Sequence, residues 1–142
     1  AAWWWWWRRR RGGASSIAPP AHELAYEELR RLVAADLVAQ GRIKEFYQGI
    51  SATLRRYIER RFGLHAPERT TEEFLAEVGQ GGALPAAWTA LLRDFLQHCD
   101  LVKFAELTPE NAQIQMTFDT CRNFIEQTRA DAATAAGGGG QP

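Results

Sequence analysis

The chain has 142 residues, 46% hydrophobic and 24% charged, with a formal net charge of zero; this balance is that of a soluble globular module large enough for one core. Taking Arg8–Arg11 from the 17 basic residues leaves 13 against 17 acidic ones, and that acidic excess argues against a general nucleic-acid binder, which needs a net basic surface. Two cysteines, Cys99 and Cys121, do not make a disulfide framework, and both fall on apolar helix faces, so buried free thiols in a reducing compartment are expected.

The chain opens on Trp3, Trp4, Trp5, Trp6 and Trp7, followed at once by Arg8, Arg9, Arg10 and Arg11. Trp rings favour the headgroup level of a bilayer and Arg favours its cytosolic side. Only Ala1 and Ala2 precede the cluster, whereas a span needs about 20 apolar residues. Residues 1–11 therefore read as the end of a truncated transmembrane helix with its basic cytosolic junction, and the four arginines suit anionic lipid, at roughly 1 kcal/mol each near a charged leaflet. Residues 12–20, small and polar and closing on Pro19-Pro20, read as a flexible linker.

Five helical segments are expected over 21–131. The first covers 21–40, with Ala25, Leu29, Leu32, Val33 and Leu37 as its stripe and Gly41 as its stop. The second covers 42–62. Its apolar residues, from Ile43 and Phe46 through Tyr57, Ile58 and Phe62, give the cleanest amphipathic pattern, and Gly49 inside it marks a close helix crossing. A short third helix starts at Thr70, which has capping-box spacing to Glu73, and breaks at Gly79–Gly82. The fourth opens at Pro85 and carries Trp88, Leu92, Phe95, Leu96, Cys99 and Val102 on its apolar face. Thr108-Pro109-Glu110 predicts the start of the fifth, striped by Ile114, Phe118, Cys121, Phe124 and Ile125. No segment alternates with period two as a strand does. The fold class is all-α, a bundle of about five helices, and the Ala/Gly-rich residues 132–142 read as a disordered tail.

Residues that could carry chemistry do not assemble into a motif. His98, Cys99 and Asp100 are sequence neighbours and point about 100° apart on a helix. The stock of Cys99, Cys121, His22, His65 and His98 has no CxxC or HExxH spacing, and a buried Cys99 has a raised pKa and is inert. Neither a catalytic residue, a metal nor a cofactor is expected. Glu27 and Glu28 read as a pair on a solvated face. The basic end of the second helix, Arg55, Arg56, Arg60 and Arg61, reads either as cations set against a helix C-terminus or as a docking patch for an acidic partner or the inner leaflet. Lys103, flanked by apolar residues, packs its stem and sends its ammonium outward toward Asp100 or a partner.

The stretches Ala21-His-Glu-Leu-Ala-Tyr-Glu-Glu-Leu-Arg30, Gly41-Arg-Ile-Lys-Glu-Phe-Tyr47, Leu54-Arg-Arg-Tyr-Ile-Glu-Arg-Arg-Phe-Gly63, Ala66-Pro-Glu-Arg-Thr-Thr-Glu-Glu-Phe-Leu75 and Cys99-Asp-Leu-Val-Lys-Phe-Ala105 resemble the cytosolic C-terminal domain of BatD-like bacterial membrane proteins. The similarity covers most of 20–130 and consists of helix-packing motifs. It implies a domain on the cytoplasmic face of the bacterial inner membrane. It also implies partners of two kinds, MoxR-type AAA+ ATPases and von Willebrand factor A-domain proteins. The expectation is a membrane-tethered protein-interaction module without catalysis. The alternatives are a soluble nucleic-acid-binding or adaptor domain using the basic end of the second helix, and a thiol or metal enzyme around Cys99 and His98.

Overall fold

The computed structural model describes residues 19–64, 69–82 and 84–130. Among them five helices and no strand are found: α1 (Ala21–Ala34), α2 (Ile43–Phe62), α3 (Thr71–Gly81), α4 (Ala86–Phe104) and α5 (Asn111–Thr128). The expectations placed on residues 1–18, including the Trp3–Arg11 junction, on His65 and on the tail from 131 lie outside the described residues. Among those that are described, no helix is long and apolar enough to cross a membrane.

The core follows from the helical stripes. On α2, Tyr47, Ile50, Leu54, Tyr57 and Ile58 are at most 1% exposed. Burying such side chains stabilises the fold by about 1.5–3 kcal/mol each before entropy is counted. α2 is the central element: it packs on α1, α4 and α5, while α3 packs on α4 and α1 also meets α5. α1 and α2 form an antiparallel hairpin, because Glu28 reaches Arg56 and Arg60 near one end while Leu32 lies against Gly49 nearer the other. α4 turns back to α5, so that Trp88 at the start of α4 stacks edge-on against Phe124 near the end of α5, ring centres 5.3 Å apart.

Three helix ends differ from expectation. α1 stops at Ala34, not at residue 40, because Asp36 takes a left-handed φ of 53°. The next residues form a hydrogen-bonded turn that closes at Gly41 (φ 77°), with Arg42 N–H donating to Leu37 O at 2.9 Å. α3 runs through Gly79 and ends only at Gly82, whose φ of 66° is the left-handed stop. α5 begins at Asn111, after a Glu110 cap that makes no side-chain bond, so Thr108 is not its cap. Glu106 sits at φ 60°, Leu107 N–H bonds back to Leu101 O, and Pro109 is buried. The Thr-Pro pair thus belongs to the α4–α5 connection. The Thr70–Glu73 capping box is present, with both reciprocal bonds made.

Candidate functional site

The four arginines of α2 lie along its second half, and each has partners inside the fold. Arg56 forks onto Glu28 at 2.7 and 3.1 Å, and Arg60 reaches the other oxygen of the same carboxylate at 3.2 Å. Burial pushes the Glu28 carboxyl up, but the hydrogen bonds and charges of Arg56 and Arg60 outweigh it and hold its pKa below the ordinary value of 4.5. Glu28 therefore does not lie on a solvated face, as expected from the sequence, but is a clamp between α1 and α2. Arg55 donates to Arg69 O at 2.7 Å and lies over the Phe74 ring, tying α2 to the start of α3. Arg61 donates to Thr128 O at 2.9 Å, capping the last turn of α5. Arg56 and Arg60 are thus engaged by Glu28 within the fold.

Lys103 meets Asp100 as expected, but its ammonium also turns inward. Its side chain is 17% exposed, and the ammonium stands 3.9 Å from Asp100 and donates to Oγ of buried Ser51 at 3.3 Å. His98 is not a plain surface histidine. The Tyr47 hydroxyl stands 3.1 Å from its Nε2 and 3.2 Å from Thr117 Oγ1, joining α2, α4 and α5. Desolvation by burial lowers the His98 pKa from its ordinary 6.5. Cys99 and Cys121 are both buried and free. Burial pushes the Cys99 thiol up to about 12 and raises that of Cys121 as well, so neither offers a thiolate near neutral pH. Among the described residues no group of three or more His, Cys, Asp or Glu is placed to hold a metal ion.

A groove of about 680 Å³ opens where the end of α1 and the turn after it face the first half of α5. Its apolar lining is Leu32, Val33, Leu37, Val38, Ile114 and Phe118, with Phe46 of α2 also contributing. Asp36, Asn111 and Gln115 supply polar atoms. The turn that forms one wall is pinned from behind. Gln40 donates from its side chain to Ala35 O at 2.8 Å, Arg42 reaches Gln40 at 3.1 Å, and Arg42 forks onto Glu45 at 2.6 and 2.7 Å. Val33, a member of the α1 stripe, is 59% exposed at this groove. The arrangement can hold apolar side chains of another molecule; it brings together no pair of groups suited to proton transfer or nucleophilic attack.

Sequence reasoning missed this groove. The signal was an α1 stripe one residue wider than the hairpin needs: Val33, next to Leu32 in α1, is left 59% exposed. No family model, curated protein or solved structure matches the chain.

Proposed function

We propose that this chain is a helical protein-interaction module without catalysis, the cytosolic portion of a BatD-like bacterial inner-membrane protein. Its partner is a MoxR-type AAA+ ATPase or a von Willebrand factor A-domain protein. The observation that carries the interaction reading is the apolar groove between the end of α1 and α5, which leaves Val33 exposed beside a pinned turn. Contiguous exposed apolar surface with a polar edge is a feature of protein-binding sites. The membrane tether and the class of partner are supported by the Trp3–Arg11 junction and by the sequence stretches that resemble BatD-like domains.

Purified full chain mixed with an ATPase and with an A-domain protein of those two kinds tests the assignment. Co-elution with one of them, lost in Val33→Glu, is the expected result. Absence of binding to both removes the partner assignment. Sequencing the coding DNA upstream of Ala1 tests the tether separately: an in-frame run of about 15 or more apolar codons is expected, and its absence removes the membrane address.

A further inference from the structure

Asp36 breaks two local preferences at once. Its backbone is left-handed, a region that residues other than glycine visit at a cost, although Asp tolerates it better than most. Its carboxylate also stands just past the C-terminal end of α1, where the helix dipole is already negative and a cation is favoured. No hydrogen bond or ion pair among the described residues engages that carboxylate, and it is exposed at the mouth of the groove. The nearby cations of α1, Arg30 and Arg31, are both held by Glu27. The groove lining contains no Lys or Arg. On the opposite wall Gln115 donates to Asp119, which lies outside the groove lining, so Asp36 is the one carboxylate among the described residues of that lining.

An apolar floor with an unpartnered carboxylate at its edge defines its complement. We infer that the groove takes an amphipathic helix of a protein partner, with an apolar stripe flanked by lysine or arginine, and that one of those cations pairs with Asp36. The inference rests on the reading of the chain as a protein-interaction module and names the chemistry of the partner at that site. The end of α1 with its turn on one side and α5 on the other leave room for a helix laid between them, whose residues at i, i+3 or i+4, and i+7 meet Leu32, Val33, Ile114 and Phe118. Asp36 is the feature that selects among such helices, because charge at an interface edge favours one sign of partner and opposes the other.

Panning a display library of helical peptides, randomised along one face, against the full chain and then against Val33→Glu tests this. Val33 is exposed, so its replacement spares the core. Peptides lost on Val33→Glu are expected to share an apolar stripe with Lys or Arg beside it. A synthesised member of that set is expected to bind Asp36→Asn roughly tenfold more weakly, the effect of one charged hydrogen bond. Asp36→Asn keeps tolerance of the left-handed backbone and is expected to melt no lower than the parent chain, which separates lost recognition from lost folding. Acidic or charge-neutral peptides at the groove, or equal binding by Asp36→Asn, would overturn the inference. So would a groove filled by residues 1–18 or by a second copy, seen as Val33-dependent differences in the free chain. Enriched peptides that ignore Val33→Glu sink the groove proposal and leave the interaction module standing; a library yielding no binder at any surface sinks both.

Discussion

A buried hydroxyl needs partners, and Tyr47, with no solvent exposure, has His98 on one side and Thr117 on the other. Tyr47→Phe removes both bonds but leaves Thr117 its bond to Gln113 O at 2.9 Å. The expected loss is about 1 kcal/mol by urea unfolding. His98 adds a pH dependence. Burial lowers its folded pKa below 6.5, so the unfolded chain takes up a proton there before the folded one does. Stability should be flat above about pH 6.5 as far as this group is concerned and should fall as the pH drops below it, through the lowered folded pKa. Urea midpoints from pH 7 to 5 should show that decline, and His98→Gln should flatten it; an equal slope in the variant would assign the decline to another group.

At the scale of elements the α1–α2 hairpin rests on two contacts of different kinds. The first is Glu28 between Arg56 and Arg60. Glu28→Gln should destabilise the fold by about 1 kcal/mol at neutral pH, a charge-assisted contact discounted for the half-exposed Arg56. Because Glu28 has a depressed pKa, its contribution is full above about pH 4.5 and is lost as the pH falls through the folded value, a window separate from that of His98. Denaturation between pH 5 and 3 should therefore be shallower in Glu28→Gln than in the parent. The second contact is Gly49, where an added Cβ would lie 2.7 Å from Leu32 Cδ1. Leu32 Cδ1 is the end of a flexible side chain, and alanine gains up to about 1 kcal/mol of helix propensity over glycine. Gly49→Ala should leave the melting temperature within a few degrees of the parent. It should move Leu32, a groove residue, which methyl NMR shifts of Leu32 and Ile114 would report.

Residue spacing made the five helices legible, along with the Thr70–Glu73 box, the close crossing at Gly49 and the buried thiols, because each depends on neighbours within a turn or on one amphipathic face. Helix ends were less legible where tertiary contacts decide them, as at the left-handed Asp36 and the buried Pro109. The arginines of α2 were visible as a charge cluster. Their partners were not, since Glu28 and Thr128 lie 28 to 67 residues away in the chain. The groove was invisible for the same reason: its walls meet only when α1 and α5 pack.

For the molecule as a whole, one apolar cluster includes buried residues from all five helices, so unfolding should be cooperative. Cys99 and Cys121 report on it from the inside, both fully buried. With a thiol reagent at neutral pH the two should be modified slowly and together, at a rate that tracks opening of the whole domain and rises with urea as far-UV helicity falls. Rapid modification of one thiol in the native state would mean that α4 or α5 opens alone.

The antiparallel hairpin also has a mechanical consequence. A pull at Pro20 directed away from α2 acts at the end of α1 far from Ala34, so α1 is loaded as a zipper, contact by contact, and not in shear along its length. Ala25 and the Glu28 clamp bear that load first, and Leu32 with the groove wall last. Tension arriving from the N-terminal side would thus have to rupture the Glu28 clamp before it could deform the groove.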